Sequence, residues 1–232
     1  MKKYDNEQTA IHNEHIIQMA KQIQKFYCNV FEDIPKNIVP ADGIVTLFDN
    51  DMGKNVNGKI TEIPPLSEPL LYADLYKGID RWTEYQQKYN EGTVLHLFRK
   101  HNIPQSWYLL RLDIAGVLEG VVGIEVKREH FWVRELNTAP WNQESAAFGF
   151  IKYKGVGLAL MARIISICFQ CGRFPLKLYA VSNHNTINFY TNLGGKNVKG
   201  YNYFKATYPG FEFDKEQCKE VLKKFNKYQS NK

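Results

Sequence analysis

Two glycines one residue apart, Gly155 and Gly157, follow Lys152, Tyr153 and Lys154 and are followed by Leu158 and Ala159 at the start of an apolar run. Without a Cβ at these positions the backbone can turn tightly and approach a ligand, and the first amides of a helix that starts here point outward unpaired. Such amides and the helix dipole attract an anion, and Lys152 and Lys154 add positive charge. The chemistry on offer is phosphate binding. A P-loop is excluded, because Leu158-Ala159-Leu160 stands where Gly-Lys-Ser/Thr is needed. A dinucleotide-binding turn is excluded too. It needs a third glycine where Leu160 stands and an acidic residue about twenty positions on, where Leu176-Lys177-Leu178-Tyr179 offers only lysine.

Other chemistry-bearing types do not assemble. Cys168-Phe-Gln-Cys171 has zinc or redox spacing but no second pair, and both thiols fall in an apolar helical run, so they read as core. With Cys28 and Cys218 the chain has four cysteines, too few and too uneven for a disulfide scaffold, and they read as reduced thiols. The six histidines form no ligand spacing, and no metal site is read.

The elements that must position the glycine turn follow from periodicity. Ile11 to Phe31 and Leu70 to Tyr89 carry apolar residues at helical spacing, stopped before Pro35 and at Asn90-Glu91-Gly92. Between them, Pro40 to Pro69 reads as irregular, with short strands at Ile44 to Phe48 and Ile60 to Ile63. Trp107 to Ile114, Val121 to Lys127 and Phe131 to Thr138 are β-rich runs parted by short turns, as in an antiparallel meander. Leu158 to Phe169 predicts a largely buried helix, Leu176 to Val181 a strand, Asn185 to Leu193 a short helix and Tyr201 to Tyr208 an aromatic strand. The fold class is α+β.

Lys152-x-x-Gly155-x-Gly157 resembles the coenzyme A pyrophosphate loop of the GNAT acetyltransferase superfamily, of bacterial type, whose pattern is Arg/Gln-x-x-Gly-x-Gly/Ala. Downstream, Asn183-His-Asn-Thr186-Ile-Asn-Phe189-Tyr190-x-x-Leu193-Gly194 resembles the family's strand-to-helix segment. Upstream, Val133 to Asn142, ending Ala-Pro-Trp-Asn, looks like its fourth strand. The resemblance covers roughly Ile103 to Tyr208. Lys152 replaces the usual Arg or Gln, Thr186 the usual Ala and Gly195 the usual Phe.

The resemblance implies a mixed, mainly antiparallel sheet flanked by helices and acetyl-CoA as acyl donor. It implies that the pantetheine arm lies beside Leu136 and Asn137, whose backbone would donate to the thioester carbonyl. The pyrophosphate would be held by Lys152, Tyr153, Lys154, Gly155, Val156, Gly157, Leu158 and Ala159. Asn183 would hold the pantetheine or a water, and Tyr190 would be the general acid that protonates the leaving thiolate. Glu135 is the best-placed carboxylate to take the amine's proton; its alternative is a surface residue paired with Arg134 or Lys127, and that of Tyr190 is an aromatic core residue.

On this basis residues 1–100 are a helical elaboration packed on the core, 101–212 the acetyltransferase core and 213–232 a basic C-terminal helix. The composition of the 232 residues, 44% hydrophobic and 23% charged, is that of a folded chain and not of a disordered or collagenous one. No run approaches the ~20 apolar residues that cross a bilayer. The N-terminus lacks a secretory signal pattern, and the expected location is cytoplasmic.

The net charge of +6 and pI near 9.0 favour anionic partners, but Lys215, Lys219, Lys223, Lys224 and Lys227 concentrate the excess in the tail, read as a solvated helix with one docked edge. The expected activity is acetylation of a primary amine on a small molecule, largely retained without the chain beyond Asp214 provided the truncated protein still folds; nucleic acid is possible but not favoured. The alternatives are a protein or aminoacyl-tRNA acceptor, or a non-catalytic coenzyme A module.

Overall fold

The computed structural model describes residues 43–63, 69–89, 107–143, 151–180, 184–203 and 206–230. The helix expected over Ile11 to Phe31 lies outside them. Nine strands form one sheet: β1 (Ile44–Asp49), β2 (Lys54–Ile63), β3 (Tyr108–Ile114), β4 (Val117–Val126), β5 (Phe131–Thr138), β6 (Tyr153–Lys154), β7 (Leu176–Tyr179), β8 (Lys196–Tyr203) and β9 (Ala206–Phe213). Their spatial order is β6-β1-β2-β3-β4-β5-β7-β9-β8. Neighbours are antiparallel except β5 and β7, which run parallel and pair only from Phe131 to Val133 against Leu176 to Leu178.

Two irregularities shape the middle of the sheet. Gly123 pairs with Glu135 and Ile124 with Val133, so Arg134 is an extra residue in β5. Leu112 pairs with Gly120 and Asp113 with Leu118, so Glu119 is an extra residue in β4. A bulge bends its strand and re-aims a side chain. The first lies where β5 and β7 cease to pair.

Helices cover both faces. One face takes α1 (Pro69–Tyr89), whose Leu75, Ile79 and Trp82 are fully buried against Leu109, Leu118 and Val121. The indole of Trp82 donates to the Leu118 carbonyl at 2.9 Å. The other takes α2 (Val156–Cys171), which is apolar nearly all round because the sheet, α3 (His184–Leu193) and α4 (Lys215–Ser230) together enclose it. The charge within α2, Arg163, is buried but bonded to Glu62 of β2, whose other oxygen accepts from the Tyr108 hydroxyl. A buried charge is tolerated only when paired in this way.

The last helix is more firmly docked than its lysines suggest. Asp214 and Gln217 bond each other's backbone N–H at 2.8 and 2.9 Å, a capping box that starts α4. Cys218, Val221, Leu222 and Phe225 recur at helical spacing and are buried in the main core. Near the C-terminus the Gln229 amide donates to the Thr46 carbonyl and accepts from the Thr46 N–H, each at 2.8 Å, continuing the sheet edge where β6 stops. Deleting the chain beyond Asp214 would therefore strip part of the core.

Three strands of the meander fall where periodicity places them. The expectation differs elsewhere: residues 44–63 form a long hairpin, β1–β2, integral to the sheet, and the aromatic run Tyr201 to Tyr208 is split between β8 and β9. No helix among the described residues is long and apolar enough to cross a membrane.

Candidate active site

Beyond the short β5–β7 pairing lies a cavity of about 610 Å³. The Lys154 to Gly157 backbone lines one part of it, and Glu135, Tyr179 and Tyr190 another. Leu136 to Thr138 of β5 line it too, as do Thr186 and Phe189 of α3.

Gly155 is the N-cap of α2, in the left-handed region at φ +95°, and no side chain caps the helix. The N–H of Ala159 bonds the Gly155 carbonyl at 2.8 Å, so the amides of Val156, Gly157 and Leu158 precede the first intrahelical bond. A Cβ on Gly157 would come within 3.3 Å of the Phe189 ring, which shows how closely α3 approaches the turn.

Three elements hold the turn. β6 pairs with the edge of β1, Phe48 opposite Lys154 and Asp49 opposite Tyr153. The Asn142 side chain accepts from the Tyr153 N–H at 2.9 Å and donates to the Glu119 carboxylate at 2.7 Å. Trp141 donates to the same carboxylate oxygen at 2.6 Å. The Glu119 bulge and the Ala-Pro-Trp-Asn segment thus form one network that ends on the strand entering the turn. Burial pushes the Glu119 carboxyl up to about 7, against the opposing pull of those two bonds. On the far side, α4 supplies Tyr228, whose hydroxyl donates to the Lys154 carbonyl at 2.5 Å.

Inside the cavity, burial pushes the Glu135 carboxyl up to about 7, opposed by a long 3.4 Å bond from the Asn137 amide. Arg134 and Lys127 both bind Glu125 instead. The salt-bridged alternative for Glu135 is thereby overturned. Tyr190 is 4% exposed, with Phe189 and Phe211 at centroid distances of 5.0 and 5.5 Å. Its pKa is raised by burial first and by the Glu135 charge second. It is a core residue that also lines the cavity.

The structure brings Glu135, Leu136, Asn137, Tyr153, Lys154, Gly155, Val156, Gly157 and Tyr190 around this space. Lys152 is not among them: its ammonium lies 5.1 Å from the centre of the Tyr153 ring, and it lines a second cavity of about 500 Å³ with Glu119 and Trp141. Leu158 packs on the core and Ala159 is fully buried on the inner face of α2, so neither offers a side chain. Asn183 lies outside the described residues. Asn142, Thr186 and Tyr228 enter without having been assigned roles; the first two stand inside the quoted motifs. Among the described residues no group of three or more His, Cys, Asp or Glu could hold a metal ion.

A mainly antiparallel sheet with one parallel pair that parts beyond a bulge, followed by a glycine-capped helix, is the GNAT acyltransferase fold that the sequence resemblance implies. No protein-family model matches the chain, and no curated protein does. Solved structures of similar course include a PaiA N-acetyltransferase from Thermoplasma acidophilum in complex with coenzyme A, 15% identical over 68% of this chain and 98% of that one, TM-score 0.46. Another is an N-acetyltransferase from Staphylococcus aureus, 12% identical over 68% and 98%, TM-score 0.47. A third is the ribosomal-protein-S18-alanine N-acetyltransferase of Escherichia coli, 17% identical over 67% and 90%, TM-score 0.42.

Proposed function

We propose that the chain is an acetyl-CoA-dependent N-acetyltransferase acting on a primary amine of a small molecule. The observation that supports it most is one cavity with a glycine turn of outward amides in one part and Glu135 beside Tyr190 in another. These residues fit coenzyme A. The Gly155 to Gly157 amides would hold the pyrophosphate, with Lys154 adding charge, and the exposed edge of β5 at Leu136 and Asn137 would hold the arm as an added strand. When bound, the coenzyme supplies an activated acetyl thioester.

The chain's own groups would manage the protons. Glu135 would take one from the amine as its nitrogen bonds the acetyl carbon, and the Tyr190 hydroxyl would give one to the departing sulfur as the C–S bond breaks. A backbone N–H near Leu136 or Asn137 stabilises the carbonyl oxygen. The raised pKa of Tyr190 keeps its proton available at neutral pH. That of Glu135 makes it an effective base from about pH 7 upward.

Acetyl-CoA is expected to raise the melting temperature, by an amount equivalent to about 2.7 kcal/mol at a hundred times its Kd. Gly157→Glu, which repels phosphate and drives a side chain against Phe189, should abolish the shift. No shift in the wild type at millimolar acetyl-CoA would overturn the proposal. Thiol release across a panel of small amines and peptides then identifies the acceptor; release with peptides alone would replace a small molecule by a protein.

A pH profile tests Glu135. At fixed, unprotonated acceptor concentration, kcat/KM should rise with pH through about 7, and Glu135→Gln should flatten the rise and lower the plateau. The same shift acts oppositely on stability. Between the ordinary 4.5 and about 7 the folded state keeps a proton that the unfolded chain releases, so stability falls as pH rises through that window. Glu119 titrates in the same range, which makes the Glu135→Gln comparison necessary.

A further inference from the structure

The geometry points to Tyr228, near the C-terminal end of α4, as a positioning residue for the glycine turn: its hydroxyl fixes the orientation of the Lys154–Gly155 peptide and thereby aims the Gly155 N–H at the cavity. This rests on the turn being the coenzyme's phosphate site. The hydroxyl donates to the Lys154 carbonyl at 2.5 Å, and the Phe48 backbone bonds to the hydroxyl oxygen itself. Phe48 and Lys154 are register partners in the β1–β6 pair. The hydroxyl therefore bridges the two strands at the last residue of β6, where the ladder ends and the turn begins.

A trans peptide is planar, with its C=O and N–H pointing in opposite directions. Holding the Lys154 oxygen towards α4 directs the Gly155 N–H away from α4; Lys154, Gly155, Val156 and Gly157 border the cavity, and Tyr228 is not among its lining residues. Glycine leaves this peptide free to rotate as a unit, since no side chain restricts φ at residue 155. The bond from Tyr228 opposes that rotation. The phenol also fills the space beside Gly155: a Cβ there would lie 2.6 Å from the Tyr228 oxygen.

The helix that carries the phenol is itself held by Leu222 and Phe225 in the core. A turn ordered in advance binds its ligand without the cost of ordering on binding. Tyr228 lies about seventy residues beyond the turn and outside both sequence motifs, so α4 becomes part of the binding apparatus.

The test compares Tyr228→Phe, which keeps the ring and loses the hydroxyl, with Gln229→Ala, which loosens the same helix from β1 without touching the turn. For Tyr228→Phe the Kd for coenzyme A and the KM for acetyl-CoA should rise about tenfold, equivalent to ~1.4 kcal/mol, with kcat within twofold. Gln229→Ala should lower the melting temperature at least as much yet leave both constants within twofold. Unchanged affinity in Tyr228→Phe, or equal weakening in Gln229→Ala, overturns the positioning role. Amide exchange in the free protein tests it without ligand: exchange at residues 155–157 should accelerate in Tyr228→Phe and not in Gln229→Ala. Equal exchange in the two variants overturns the role even if coenzyme A binds. Failure of the wild type to bind coenzyme A, with exchange altered as expected, overturns the proposed function and leaves the positioning of the turn standing.

Discussion

Tyr190→Phe is expected to lower turnover about 10²-fold while leaving coenzyme affinity nearly unchanged, because it deletes one proton donor and no packing. The ring is held by Phe189 and Phe211 and is 4% exposed, so the phenylalanine stays in place. Burial and the neighbouring Glu135 charge both disfavour the phenolate, so the wild-type hydroxyl keeps its proton at neutral pH, as an acid must before the thiolate leaves. Steady-state thiol release gives kcat, and calorimetry with coenzyme A gives Kd. A large fall in kcat with unchanged Kd assigns the hydroxyl to the chemical step. Turnover within twofold of wild type would leave Tyr190 as an aromatic of the core that happens to border the cavity.

What could be read from sequence was local. The glycine turn, the three-strand meander and α3 each sit within a span of neighbouring residues whose periodicity and punctuation survive in the fold. Glu135, Leu136 and Asn137 could be placed because one strand of known direction carries them to the wall of the cavity. The errors fall where a distant partner decides. Lys152 has the right charge and spacing for a phosphate, and the structure sets its ammonium by the Tyr153 ring at the second cavity, through the network that runs from Tyr153 to Asn142 and Glu119.

The same holds for strand and helix ends. Tyr201 to Tyr208 is rich in β-formers, with no Asn-Gly or Gly-Gly to announce a turn, so β8 and β9 read as one strand. Glu119 falls by periodicity in the turn between two strands of the meander, whereas β4 begins at Val117 and includes it. Its meaning depends on a register shift against β3 and on Trp141 and Asn142, more than twenty residues on. Five lysines and an apolar stripe read as a solvated helix with one docked edge, and four apolar residues and Gln229 do tie that edge to the core and to β1. Charge counts describe the outer face of a helix and say nothing of how firmly the inner face is docked.

Gly155→Ala is expected to weaken coenzyme A binding by about 10²-fold or more, and Gly116→Ala provides the control that gives this number meaning. Both glycines have positive φ, +95° and +77°, so both substitutions strain a backbone that L-residues rarely adopt, at a cost of order 1–2 kcal/mol. They differ in what the new methyl meets. At Gly116 nothing lies within 4 Å, whereas at Gly155 the Tyr228 oxygen stands at 2.6 Å and its ring carbons at 2.7 and 2.8 Å. Relief requires either Tyr228 to withdraw or the turn to leave its conformation, and either breaks the hold on the Lys154 carbonyl. Gly116→Ala should therefore lower the melting temperature by a few degrees and bind coenzyme A as wild type does. Gly155→Ala should lose binding as well as stability, and Gly155→Ala combined with Tyr228→Ala, which clears the clash but not the backbone strain, should not recover it. Recovery in that double variant would mean that avoiding a clash with the phenol, and neither the left-handed turn nor the Tyr228 hydroxyl, is what the site requires of residue 155.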